Sequence, residues 1–342
     1  MNYYQILKIT GIILLIFSLF ILIPISAAFF YGESIDNFLQ SFLIIFFVGL
    51  LAYFPNKKER SQIKIREGFL IVAIFWFVLS FFGAIPFLMD ESLRFSLVDA
   101  IFESTSGWTT TGATVISNID DLNKPLLLYR QLLQWLGGIG IVVLVLAILP
   151  ILGVGGMYLY KAETSSPVKD NKLSPRITET AKSLWGVYLV LTFLCAVLYK
   201  IAGMSYFDAI GHSFSTVSIG GFSTHDASIG FYSSDLIKII CMVFMFLSAL
   251  NFVLHFLFYK NKSLTVYTSN SEMKSFLLII IVLLLLVTIF STGGRAASLE
   301  NIDIMFHILS FATTSGFIVS NYSNWPTFII TIVFLSSFIG AC

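Results

Sequence analysis

Apolar runs that carry no charge and match a bilayer in length limit this chain to very few folds. A helix crossing roughly 30 Å of hydrocarbon needs about 20 mostly apolar residues. Residues 9–31, 38–54, 68–89, 132–160, 183–199, 239–259 and 275–294 reach or approach that length without a charged side chain. The first run is too long, and lacks a small-residue cleavage site after a short apolar core, to be a cleaved signal peptide. An eighth run starts at Thr327 and continues to Cys342. At about 16 residues, or about 24 Å of helix, it ends without a flanking charge or aromatic anchor, as a chain that stops inside the membrane would.

Composition agrees with this reading. The chain is 57% hydrophobic and 11% charged, against about 45–50% and about 25% in a water-soluble domain. An ordinary soluble protein is therefore excluded, and the formal charge of +1 gives no reason to expect nucleic acid as a partner. Cys195, Cys241 and Cys342 are odd in number and set in apolar runs, so they are read as small hydrophobes and not as a disulfide or zinc framework.

The basic residues set the orientation. Lys57, Lys58, Arg60, Lys64 and Arg66 fall in one connection, Lys161, Lys169, Lys172, Arg176 and Lys182 in a second, and Lys260, Lys262 and Lys274 in a third. These segments hold 13 of the 20 basic residues and alternate with basic-poor connections, which places them and the amino terminus in the cytoplasm. Residues 90–125, 201–235 and 293–325 then open to the opposite face.

Those three outer connections are too long for turns and too apolar for solvated loops, and they repeat one another. They read SLVDAIFESTSGWTTTGAT from Ser96, SYFDAIGHSFSTVSIGGFS from Ser205 and ENIDIMFHILSFATTSGFI from Glu300. Asp99, Asp208 and Asp303 head the copies, and Gly112, Gly221 and Gly316 follow each of them at the same offset. Ser96 with Asp99, and Ser205 with Asp208, form the Ser-x-x-acid pattern of a helix start, where the acid meets the positive end of the helix. About ten helical residues follow, half a bilayer deep, before the pattern breaks into Thr, Ser and Gly. Residues 96–107, 205–216 and 300–312 are therefore expected to be half-helices. Irregular backbone at membrane depth is tolerated only inside protein or beside a watery cavity. Each half-helix points its partly negative carboxyl end at the membrane centre, where it attracts a cation. The Thr-Thr-Thr-Gly, Ile-Gly-Gly and Thr-Thr-Ser-Gly runs that follow can present backbone carbonyls, and rings of carbonyls replace the hydration shell in potassium filters.

On these residues, and on the runs RQLLQWLGGIGIVVLVLAILPILGVGGM from Arg130, ETAKSLW from Glu179 and STVSIGGFSTHDASIGF from Ser215, the chain resembles the Trk/Ktr/HKT superfamily of potassium transporters, most closely its bacterial TrkH branch. The resemblance covers nearly the whole chain. It implies an all-α integral membrane protein in which two leading transmembrane helices precede repeated units of helix, re-entrant half-helix with filter loop, and helix. The leading pair and a cytoplasmic loop take residues 1–67, the first pore unit 68–160, a cytoplasmic basic loop 161–182, the second unit 183–260 and the third, incomplete in its last helix, 261–342. Carried over by alignment, the potassium-binding filter positions are Thr110, Thr111 and Gly112; Ile219, Gly220 and Gly221; and Thr314, Ser315 and Gly316. Asp99, Asp208 and Asp303 start the pore helices. The family carries four such units, so the resemblance implies a chain truncated before the fourth. It further implies a multi-pass protein of the bacterial plasma (inner) membrane, a homodimer, and a cytosolic nucleotide-binding regulatory subunit of the TrkA type docking at the basic loop.

The expected function is channel-like uptake of potassium driven by the membrane potential, with potassium as substrate, no cofactor, no metal other than potassium at the filter, and no covalent chemistry. One alternative is symport of potassium with a proton or sodium, which calls for ionisable groups in the path; the apolar spans offer almost none. Another is an intramembrane hydrolase using Asp208 and His212, and a third is an inactive fragment that serves only as an assembly partner. Asp208 with His212, and Asp303 with His307, could be drawn as a metal site, but Glu103 stands at the corresponding place in the first copy, which favours capping and local hydrogen bonding. His225 and His255 are read as structural. The glycines from Gly137 to Gly156 are read as helix-packing positions, with no Lys-Ser or Lys-Thr after them to suggest a nucleotide loop.

Overall fold

Asn2 caps the first helix, its side chain accepting a hydrogen bond from the Gln5 backbone N–H, and Gly32 ends it in a left-handed conformation with φ 71°. This is α1, Tyr3–Tyr31. The computed structural model of the chain describes residues 2–59, 65–140, 174–290 and 301–340. Within them follow α2 (Asp36–Tyr53), α3 (Ile65–Gly83), α4 (Ile85–Met89), α5 (Leu97–Trp108), α6 (Lys124–Gly138), α7 (Ser174–Ile201), α8 (Tyr206–Val217), α9 (Asp235–Ala249), α10 (Phe252–Asn261), α11 (Thr265–Ser269), α12 (Ser271–Phe290), α13 (Asn301–Ala312) and α14 (Thr327–Ser336). No strand occurs among the described residues.

By length and composition, Tyr3–Tyr31, Asp36–Asn56, Glu67–Met89 and Lys182–Ile201 are long and apolar enough to cross a membrane. α5, α8 and α13 hold 12 residues each, about 18 Å of helix, which falls well short of a full crossing. Phe29, Phe77 and Phe193 stand exposed on the helix surfaces, an arrangement suited to lipid contact.

Two expectations from the sequence need correction. The run 239–259 is not one continuous helix: α9 and α10 meet at a bend of 92°. Leu250 adopts extended backbone with ψ 150°, and the Asn251 side chain accepts from the Val253 N–H to start a new helix. The helix that the sequence placed at 132–160 starts earlier, at Lys124, because Asn123 caps it and Pro125 occupies its first turn. Its continuation, with Gly153, Gly155 and Gly156, most of the basic loop 161–182, Arg60, Lys64, Glu300 and Cys342, lies outside the described residues.

The chain divides into two compact units, one holding residues Met1–Thr109, Ala113–Ile116 and Asp121–Trp185, the other Thr110–Gly112, Ser117–Asp120 and Gly186–Cys342. In the first, the buried Tyr129 hydroxyl donates to the Gly83 carbonyl at 2.8 Å, and its ring meets Phe38 and Phe87 at centroid distances of 5.5 and 5.3 Å. Gly137 of α6 lies against the Trp108 carbonyl at the end of α5, where a Cβ would collide, so the packing reading of that glycine holds. In the second unit, Val287, Ile304, Ile308, Trp325, Ile329, Ile332 and Val333 form one buried cluster that seats α13 between α12 and α14. Lipid is as apolar as these side chains, so close van der Waals packing holds such a cluster together.

Candidate ion filter

The Ser-x-x-acid starts form as the sequence indicates. Ser96 and Asp99 make a reciprocal capping box on α5, and the Ser205 hydroxyl accepts from the Asp208 N–H at 3.0 Å on α8. Asp303 stands in the first turn of α13, where Lys238 of α9 meets its carboxylate at 2.9 Å.

At their other ends α8 and α13 stop in one shared way. On α8 the Gly220 N–H donates to Ser215 O at 2.8 Å and the Ile219 N–H to Thr216 O at 3.2 Å. On α13 the Ser315 N–H donates to Ser310 O at 2.8 Å and the Thr314 N–H to Phe311 O at 2.9 Å. This pair of bonds is the Schellman termination, which requires a left-handed residue just past the helix. Glycine usually fills that place, yet here it holds Ile219 and Thr314, with φ 55° and 61°, and at the matching place in the first copy Thr110, with φ 53°. A β-branched residue in that region is a genuine outlier costing about 1–3 kcal/mol, and such residues persist where the surrounding structure demands them.

Two residues later φ turns positive again at Gly112 (76°), Gly221 (79°) and Gly316 (80°), with a residue of ordinary φ between. Alternating the sign of φ turns successive carbonyls toward one side, whereas an extended strand would alternate them. The N–H groups of Gly220 and Ser315 point back into their half-helices. In a planar trans peptide the carbonyls of Ile219 and Thr314 must then point away from the helix ends.

The residues that the sequence marks as candidates for a filter, Thr110, Thr111 and Gly112, Ile219, Gly220 and Gly221, and Thr314, Ser315 and Gly316, all fall in the second compact unit. Gly112 lies against the Gly220 carbonyl and Gly221 against the Ser315 carbonyl, so closely that a Cβ at either glycine would collide with that oxygen. Glycine is thus required twice over, by its φ and by the approach of the neighbouring turn. Gly316 differs: a Cβ there would find no atom within 4 Å.

The segments that leave the turns are tied in pairs. The Ile119 and Asp120 N–H groups donate to the Asp226 carboxylate at 3.0 and 3.3 Å, and the Asp226 N–H returns a bond to the Asp120 carboxylate at 3.2 Å. His225 ties two of these segments together. Its ring stacks on Phe231 at 3.5 Å, with Nδ1 2.6 Å from Asp120 and Nε2 3.5 Å from Asp208. Partial burial pulls the His225 pKa down, but the bonds and charges of Asp208 and Asp120 outweigh it and hold the pKa above its ordinary value. Between the second and third copies the tie is neutral, with Gly230 N–H donating to Ile318 O at 3.1 Å and the Ile318 N–H to the Ser228 hydroxyl at 3.3 Å.

His212 and His307 hydrogen-bond through Nδ1 to the backbone carbonyls of Asp208 and Asp303 at 2.9 and 2.8 Å, the local bonding that the sequence favoured over a metal site. No group of three metal-ligating side chains occurs among the described residues.

The model of the cation transport protein TrkH family matches residues 34–342. The chain belongs to the TrkH family. Members similar to it along its whole length include the Trk system potassium uptake proteins TrkH of Halomonas elongata, 46% identical over 345 residues, and of Escherichia coli K12, 45% identical over 346 residues; each alignment covers 100% of this chain and 72% of the relative. Escherichia coli TrkG is 39% identical over 97% of this chain and 69% of its own length. The crystal structure of the potassium transporter TrkH from Vibrio parahaemolyticus superposes with a TM-score of 0.87 at 42% identity, over 100% of this chain and 71% of that one. This TrkH-family chain is accordingly a multi-pass membrane transporter and not an enzyme.

Several side chains that matter here were missed in the sequence: Arg130, Thr114, Ser223, Asp120, Asp226 and Lys238. Arg130 and Lys238 stand two residues and one residue before the apolar runs that the sequence places at 132–160 and 239–259, and only the earlier helix starts at Lys124 and Asp235 bring them inside apolar helices.

Proposed function

We propose that this chain conducts potassium across the bacterial inner membrane through the three glycine-bearing turns, each contributing backbone carbonyls in place of part of the ion's hydration shell. The observation that carries the reading is the threefold recurrence of one costly backbone: positive φ at Thr110, Ile219 and Thr314, and again at Gly112, Gly221 and Gly316. Helix termination accounts for the first left-handed residue, whereas a second one at the glycine two positions on, with ordinary φ between, is what a row of carbonyls aimed to one side calls for. Potassium is the substrate, entry is driven by the membrane potential, and the negative ends of α5, α8 and α13 favour a cation beside the turns. Asp99, Asp208 and Asp303 act as helix starts. The pore units are assigned to residues 68–160, 183–260 and 261–342, after the leading pair in 1–67. A homodimer, with a nucleotide-binding subunit of the TrkA type at the basic loop 161–182, completes the proposal.

The test is uptake by a potassium-starved strain that lacks its own uptake systems. Gly112→Ser places a side chain where φ is 76° and where the Gly220 carbonyl leaves no room. Preference for potassium over sodium should fall by about tenfold, equivalent to about 1.4 kcal/mol of discrimination. Unchanged preference in a variant of normal abundance would remove Gly112 from the filter.

A further inference from the structure

Four residues past its leading aspartate, each half-helix carries a buried polar side chain: Glu103, His212 and His307, all fully buried. In the second copy this position reaches the segment that leaves the filter. His212 uses Nδ1–H on the Asp208 carbonyl, which leaves Nε2 as the acceptor for the Ser223 hydroxyl at 2.9 Å. Ser223 stands two residues beyond Gly221, and Thr114 stands two residues beyond Gly112.

The first copy makes the same connection with charge. The Glu103 carboxylate accepts from the Thr114 hydroxyl at 3.0 and 2.9 Å, from the Val115 N–H at 3.2 Å and from Arg130 Nε at 2.9 Å. Arg130, fully buried on α6, also donates through Nη2 to the Thr114 hydroxyl at 3.2 Å, and that hydroxyl accepts the Ile116 N–H at 3.1 Å as well. The pair thus grips a hydroxyl and an amide in the segment immediately past the filter. At the matching place in the third copy Ile318 has no hydroxyl to offer His307.

We propose that Glu103 and Arg130 are positioning residues for the first filter turn, acting through Thr114 to fix where the Gly112 carbonyl stands; this rests on the filter reading above. A buried ion pair is a poor way to gain stability, because desolvation offsets much of its attraction. It is a stiff way to hold a geometry, because charge-assisted bonds are short and directional. The copies then grade from a charged brace through a neutral one to none through that position, and the first turn should tolerate the least change.

Thr114→Val separates positioning from stability, since it leaves both charges paired and the Val115 N–H bond in place and removes the hydroxyl that ties the pair to the segment past the filter. In the full chain, expressed in the uptake-deficient strain, Thr114→Val should reach the membrane at normal abundance and lose potassium-over-sodium preference several-fold, while Thr114→Ser retains it. The charge-neutral pair Glu103→Gln with Arg130→Met should show the same loss of preference; should it fail to accumulate, the Thr114 variants decide alone. Gly112→Ser is measured beside them. If it loses preference and Thr114→Val does not, the brace is structural only and the proposal is overturned. If Gly112→Ser itself keeps preference, the filter reading fails and takes this proposal with it.

Discussion

In the second and third glycine-bearing turns the backbone is the same, with φ 55° at Ile219 against 61° at Thr314 and 79° at Gly221 against 80° at Gly316, while the surroundings are not. The second turn is crowded: Gly221 abuts the Ser315 carbonyl, and the segment beyond it carries His225 between Asp120 and Asp208. The third turn has an open glycine and an exit made of Phe317, Ile318 and Val319, tied to the second by a hydroxyl and a backbone amide. Since the same conformation forms in both settings, it is specified within each copy, by the helix termination and the glycine. The neighbouring turns add position and charge.

The largest effect should come from filling the two glycines. Gly221→Ala meets the conformational cost of φ 79° and also a collision with a backbone oxygen that cannot rotate away. Transport by that variant should be lost. Gly316→Ala faces open space and should carry only the conformational cost, about 1–2 kcal/mol, seen as a modest fall in melting temperature with residual uptake. Equal loss in the two variants, at matched abundance, would break the comparison and would mean that another backbone approaches Gly316 in the working protein.

A smaller effect separates the two exits by pH. With its pKa raised, protonated His225 stabilises the folded tie fully below the ordinary histidine value near 6.5, and that contribution is lost as pH rises through the raised value. Asp120 is shifted the other way. Burial raises its pKa, but the hydrogen bond from His225 and those from Asp226 outweigh it, so its contribution is present above the ordinary value of 3.8 and is lost as pH falls through the depressed one. Hydrogen exchange, corrected for the intrinsic pH dependence of amides, should find protection at Ile119, Asp120 and Asp226 decreasing a few-fold above neutral pH. Protection at Gly230 and Ile318 should stay flat. His225→Gln should flatten the first group too, and a pH response that survives this substitution would assign it elsewhere.

What the sequence disclosed and what it withheld divide along the range of the interactions. The helix starts at Ser96 and Ser205 were legible because a cap bonds only three residues ahead, and the three glycines because repetition lifted them above ordinary packing glycines. The left-handed φ at Ile219 was hidden, since a β-branched residue argues against the conformation it adopts there. The 92° break between α9 and α10 lacks glycine and proline, leaving Asn251 as a faint cue inside an apolar run. Glu103 finds Arg130 across 27 positions and His225 finds Asp120 across 105, distances over which neither periodicity nor spacing carries information.

The central claim, that an ion sits among the carbonyls of these turns, is open to direct observation. Crystals of the protein grown with rubidium or thallium in place of potassium should give an anomalous-scattering peak beside the backbone oxygens of residues 110–112, 219–221 and 314–316, weakened in Gly112→Ser. A peak bound instead by side-chain carboxylates away from the turns, with none among these oxygens, would contradict the account.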